Sequence, residues 1–231
     1  MGGGAMSMAL GIMAGVYEAR NSGTGQVVDI AMTEGSAYLA LAMYGMAAVG
    51  DYSHERQDNI LDGGAPFYRC YETRDNKFVS VASIEAKFYD LLLEKTGLKG
   101  EDNLPDQLDK GSWPGMCSRF EEIFKTKTRQ EWCNLMEGTD VCFAPVLTFN
   151  EAPDHPHNKA RATFVDVEGV LQPNPAPRFS KTPGSVKGAA PEVGTNTRDG
   201  LVSWGFEPSE VDELLRTGVV GWKEDSQHRS R

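Results

Sequence analysis

The sequence predicts an α/β fold, part of a doubly wound domain joined to a smaller α+β domain, and three observations carry that prediction. A helix, strand, helix order opens the chain, a strand hairpin followed by amphipathic helices fills its middle, and a proline-rich crossing leads to a last helix. At 231 residues with 40% hydrophobic and 9% aromatic content, the chain holds enough apolar surface for one substantial core, or a main core with a small second domain.

Residues 5–20 place Met6, Leu10, Met13 and Tyr17 at helical spacing, and Ser22-Gly23-Thr24-Gly25 stops the pattern. A buried helix followed by a turn is expected. Residues 27–32 form a short β-rich run, after which Thr33 is placed to cap a helix with Tyr38, Leu41 and Gly45 along one side. The apolar run 37–49 is too short to cross a bilayer and reads as a buried helix. A strand between helices needs parallel neighbours for its backbone hydrogen bonds, and too little chain precedes the first helix to supply one. Either later strands pair with it or, the preferred expectation, the remaining strands lie in sequence upstream of Met1.

From Pro66 the pattern changes. Residues 67–72 and 78–83 are strand-like and flank Thr73-Arg74-Asp75-Asn76-Lys77, a good hairpin connection. Helices are expected from Phe88 through Leu93, over 113–125 and over 129–136, the last with Thr128 as its cap. Residues 142–149 return to strand, 150–161 form a short helix, 172–177 (Gln-Pro-Asn-Pro-Ala-Pro) run extended between domains, and 209–216 form a last helix. The expected segments are 1–58, a partial large α/β domain; 59–172, a small α+β domain; and 173–231, an extended return with a helical end.

A net charge of −10 and a pI near 4.9 argue against nucleic acid or an anionic membrane as the main partner. Cys70, Cys117, Cys133 and Cys142 form no C-x-x-C pair and read as reduced thiols of an intracellular protein. No targeting signal is visible: no basic leader precedes the apolar stretch, Met6 stands where a myristoylation motif needs Ser or Thr, and the end, Ser226 to Arg231, differs from S-K-L.

The most informative run is Asn59-Ile60-Leu61-Asp62-Gly63-Gly64-Ala65-Pro66-Phe67-Tyr68. Asn59 and Asp62 adjoin paired glycines that permit close backbone approach to a ligand, and Tyr68 is placed to line a pocket. On spacing alone a tight turn explains the same residues. Glu85 lies where a strand yields to a helix, suited either to a buried carboxylate that orients another group or to a charge at a helix N-terminus. Most of Met6, Met8, Met13, Met32, Met43 and Met46 are assigned to core, with Met32 and Met43 as candidates for an apolar ligand pocket. His155-Pro156-His157 lacks further spaced ligands, so no metal is expected, and His54 and His228 read as surface residues.

Together, Asp62-Gly63-Gly64-Ala65-Pro66-Phe67-Tyr68 and Ala82-Ser83-Ile84-Glu85-Ala86-Lys87-Phe88-Tyr89 resemble the paired signature of α-methylacyl-CoA racemases, within the family III CoA-transferase superfamily. Gly2-Gly3-Gly4, residues 22–29, residues 138–147 and residues 175–180 resemble further family segments in family order. The resemblance implies a family III CoA-transferase-like fold and inversion of the carbon beside a 2-methylacyl-CoA thioester through an enolate. It implies acyl-CoA as substrate without a separate cofactor, an interlocked homodimer in the complete form, and a mitochondrial or peroxisomal setting. Glu85 matches a glutamate that supports the catalytic histidine, while that histidine and its partner aspartate match positions before Met1. Acid/base groups typically contribute about 10²–10⁴-fold each, so this chain is expected to be catalytically incomplete. CoA transfer, and a non-catalytic acyl-CoA-binding or dimer-modulating role, are the alternatives.

Overall fold

The computed structural model describes residues 1–221. His228 and the tail 226–231 lie outside the described residues. The chain divides into two compact units, Met1–Val146 and Leu147–Arg231, a division that falls inside the predicted segment 59–172.

The first unit opens with a π-helical turn, Gly2–Met6, that runs into α1 (Ser7–Ser22), which Gly23 ends in the left-handed conformation. Two short helices follow, α2 (Met32–Leu39) and α3 (Leu41–Ala48). The predicted strand at 27–32 does not form: residues 24–31 carry no strand pairing, and α2 begins at Met32 with Ala31 as its cap. The extended run lies instead against the glycine face of α1. A Cβ added at Gly11 would sit 2.7 Å from Ile30 Cδ1, and one at Gly15 would sit 3.3 Å from Val28 Cγ2. Burial also departs from expectation. Met6, Leu10, Met13, Tyr17, Tyr38 and Tyr44 are all exposed, because the described chain sets no apolar surface over them.

The predicted hairpin forms as β1 (Tyr68–Glu72) and β2 (Phe78–Ala82), antiparallel with Tyr68 opposite Ala82 and Glu72 opposite Phe78. β3 (Phe143–Val146) pairs antiparallel on the other side of β2, giving the order β1-β2-β3. Alternation along β1 and β2 sends Tyr71, Val79 and Val81 inward. The helices α4 (Ala86–Thr96), α5 (Trp113–Phe124) and α6 (Arg129–Met136) supply the other half of this core. Aromatic rings dominate it: Tyr71 stacks on Phe124 at 4.9 Å and Phe124 meets Trp132 at 4.9 Å. The polar edge of Trp132 is satisfied, since its Nε1–H donates to the Phe124 carbonyl at 2.8 Å. Thr128 and Glu131 form a reciprocal capping box that starts α6.

In the second unit, α7 (Pro156–Ala160) is followed by a hairpin of β4 (Phe164–Val167) and β5 (Val170–Pro173), which the sequence reading leaves out. Its two-residue turn holds Glu168 and Gly169 at positive φ, 54° and 84°, the pattern that matches strand twist. A second unanticipated element, α8 (Thr197–Ser203), is joined to α9 (Pro208–Arg216) by the Arg198–Asp212 ion pair. Among the described residues no helix is long and apolar enough to cross a membrane.

Candidate functional site

The loop between α3 and β1 builds the site. Its end is fixed by two turns that need glycine: Gly63 has φ +87°, and a Cβ at Gly64 would lie 2.4 Å from the Gln57 carbonyl oxygen. Two core side chains anchor that end. Cys117 donates its thiol hydrogen to the Gly64 carbonyl at 3.5 Å, and Tyr71 donates to the Pro66 carbonyl at 2.6 Å. Burial, reinforced by Cys117, pushes the Tyr71 phenol far above its ordinary value, so it remains a donor. Farther back, Lys110 donates to the Asp58 carbonyl at 2.9 Å.

Within this frame Asp62 gathers N–H groups. Its carboxylate accepts from the backbone of Asp58, Asn59 and Gly64 and from the Asn59 side chain. Partial burial pushes the Asp62 carboxyl up, but these hydrogen bonds, led by that of the Asn59 side chain, outweigh it and hold the group below its ordinary value.

Beside the loop lies an apolar cavity of about 310 Å³, walled by Met43 and Met46 of α3, by Ile60 and Leu61, and by Ile84 after β2. Asp51, Tyr52, Asn59 and Asp62 form its polar margin, and Tyr52 and Asp62 also border a polar recess of about 570 Å³ with His54, Glu55 and Arg56. A cavity with mostly aliphatic walls and a few convergent polar groups suits a ligand with an apolar branch and a polar remainder.

The chain matches CoA-transferase family III over residues 2–197. It belongs to that family. It is 44% identical to the α-methylacyl-CoA racemase of Mus musculus over 221 residues, a match covering 95% of this chain and 58% of that protein. Against the Homo sapiens α-methylacyl-CoA racemase the identity is 41%, covering 94% of this chain and 57% of that protein. The crystal structure of a CAIB/BAIF family protein from Brucella suis superposes with a TM-score of 0.68 at 18% identity, over 91% of this chain and 54% of that one, a likeness of fold. The chain thus spans a little over half the length of the racemases it matches.

In this family III chain the predicted site residues divide into three groups. Asn59, Asp62 and Met43 meet at the apolar cavity. Gly63 and Tyr68 line a separate shallow groove of about 490 Å³ along the open face of β1 and β2, with Leu61 common to both. Met32 and Gly64 join neither: Gly64 is buried in the turn, and Met32 is exposed and lies over Gly4, whose added Cβ would meet Met32 Cγ at 3.0 Å.

Glu85 departs from the buried carboxylate that one reading required. It is exposed and serves as the N-cap of α4 through its backbone, its side chain making no cap hydrogen bond. The strand-to-helix junction carries Ile84 to the cavity, and the described chain leaves the next residue in solvent. Burial, with the charges of Glu85 and Asp140, pushes the Cys142 thiol up. The His155 ring is engaged in the start of α7, where Nδ1 accepts the His157 N–H at 3.3 Å. The sequence reading missed Tyr52, Met46, Ile60 and Leu61. Their signals were the Met43/Met46 pair at i,i+3 and two aliphatic residues set between the polar Asn59 and Asp62.

Proposed function

We propose that this chain is the acyl-CoA-binding part of a racemase for 2-methylacyl-CoA thioesters. The observation that carries the reading is the apolar cavity bounded by Met43, Met46, Ile60, Leu61 and Ile84 in a chain 44% identical to a racemase of that name. A methyl-branched acyl chain is apolar and small enough for such walls, whereas the rest of the thioester is polar and belongs outside them.

In the complete protein the reaction removes the proton beside the thioester, forms an enolate and returns a proton to the opposite face. Two acid/base groups are needed, and Glu85 takes the part of a carboxylate that supports one of them. No cofactor beyond the acyl-CoA itself enters this scheme, and the complete protein is an interlocked homodimer. The exposed apolar side chains of α1 to α3 favour a second role for the chain alone, pairing with a longer homologue that covers them.

The test starts with one epimer of a 2-methylacyl-CoA in deuterated water. A version that spans the full length of the matched racemases is expected to racemise it with deuterium entering at the α-carbon, and the present chain to bind it without turnover. Activity that requires an acceptor carboxylic acid instead would replace proton transfer with CoA transfer.

A further inference from the structure

The loop beside the cavity is closed by side chains. Asn59, itself buried, lies along the backbone of Ser53: Oδ1 accepts the Ser53 N–H at 2.9 Å and Nδ2 donates to the Ser53 carbonyl at 3.0 Å. One amide side chain thereby takes the place of a paired strand residue, exchanging a donor and an acceptor with the same backbone unit. The other Nδ2 hydrogen goes to Asp62 Oδ2 at 2.9 Å. Asp62 Oδ1 then accepts the N–H groups of Asn59 and Gly64 at 3.0 and 3.1 Å, and Oδ2 accepts that of Asp58 at 3.3 Å. Both amide hydrogens of Asn59 and both oxygens of Asp62 are therefore engaged inside the loop.

Three of the residues that line the cavity adjoin these ties. Tyr52 precedes Ser53, and Ile60 and Leu61 lie between Asn59 and Asp62. We propose that Asn59 and Asp62 are positioning residues: they leave the acyl chain untouched, hold Tyr52 in place relative to Ile60 and Leu61, and so set the bore that decides which acyl chain enters. The inference rests on the acyl-CoA reading and changes the part these two residues play in it. A substrate hydrogen bond donated by the Asn59 amide, or accepted by the Asp62 carboxylate, would have to break a tie already made, and a buried group left with an unmade hydrogen bond opposes that exchange. Most of the wall that meets an acyl chain is aliphatic, and its spacing is fixed by ties made at the polar margin of the cavity.

The test measures equilibrium binding of a linear acyl-CoA and its 2-methyl counterpart to the full chain. Leu61→Ala enlarges the cavity directly and is expected to shift the ratio of the two affinities toward the branched ligand by about tenfold, the scale of one methylene in an apolar pocket. Asn59→Ala is expected to shift the ratio the same way by at least about threefold, on the same scale, although it removes no cavity-walling aliphatic group. A loss of stability alone would weaken both ligands alike and leave the ratio unmoved. Asp62→Asn, which keeps the shape of the side chain and turns one acceptor into a donor, serves if Asn59→Ala does not fold. Amide hydrogen exchange at Ser53 reads the tie itself, and is expected to accelerate in Asn59→Ala.

Wild-type binding with an unmoved ratio in the Asn59 and Asp62 variants overturns the positioning role and leaves the acyl-CoA reading standing. Unchanged Ser53 exchange overturns the tie whatever the ligands do. Absence of wild-type binding to either acyl-CoA removes the acyl-CoA reading, and the selectivity claim falls with it.

Discussion

The three N-terminal helices and the segment from Ala65 to Val141 both carry abundant apolar side chains, yet only one of them makes a core. Helices α1, α2 and α3 contain no buried residue, and Leu10 and Tyr17 are 72% and 70% exposed. In the other region Phe67, Phe120, Phe124 and Leu92 are wholly enclosed. The difference lies in what each region can reach. Helical spacing of apolar residues dictates a helix and one sticky stripe, but burial belongs to a pair of surfaces. The inner face of β1 and β2 finds α5 and α6 a short distance along the chain, whereas among the described residues α1 has little beyond the extended run at 24–31 to cover it.

This contrast is best broken at its strongest point. Trp132→Ala is expected to destabilise the first unit by about 3–5 kcal/mol, because it empties a filled aromatic site and leaves the Phe124 carbonyl without its donor. Urea denaturation followed by circular dichroism measures it. Gly64→Ala forces a methyl group against the Gln57 carbonyl and is expected to cost about 1–3 kcal/mol in the same assay, with accelerated amide exchange in the loop.

Thr128→Ala removes one half of the capping box of α6 and should cost about 1 kcal/mol, with Thr128→Ser restoring most of it. Acid acts on the loop through Asp62. Its folded-state value is lowered, so its contribution is complete above the ordinary 3.8 and fades only as pH falls through the lower folded value. Carbon NMR of the Asp62 carboxyl across pH 2 to 6, a range spanning roughly the ordinary carboxylate values, is expected to place its midpoint below 3.8. Leu10→Ser, on the exposed face of α1, is expected to change stability by less than about 0.5 kcal/mol. A large loss there would show that α1 is covered in solution, and sedimentation would identify by what.

Legibility followed the range of the forces involved. The α6 boundaries and the Thr128 cap were readable because a capping box is complete within four residues of chain. The β1–β2 hairpin was readable for a similar reason, its alternation and turn lying side by side. The β4–β5 hairpin carried a weaker sign, a Glu168-Gly169 turn in which a non-glycine residue occupies a positive φ, stabilised by Asp166 accepting the Gly169 N–H at 3.0 Å. Burial was hardest to read. The residues of α1 and α3 looked internal by composition, and Glu85 looked internal by its place at a junction, but exposure at each depends on surfaces distant in sequence. Asn59 and Asp62 stood out as polar residues beside glycines, while the atoms they engage became visible only with the loop closed.

The Asn59 side chain joins points six residues apart, at Ser53 and at its own position. Because that junction closes the excursion between them, the length of the excursion is uncoupled from the walls of the cavity. Extra residues inserted between His54 and Arg56 enlarge a loop whose ends are already tied, and doubling a flexible loop adds only about 0.6 kcal/mol of closure entropy. Variation in length there is expected to reshape the polar recess of His54, Glu55 and Arg56 more than the aliphatic chamber, which it meets at Tyr52 and Asp62.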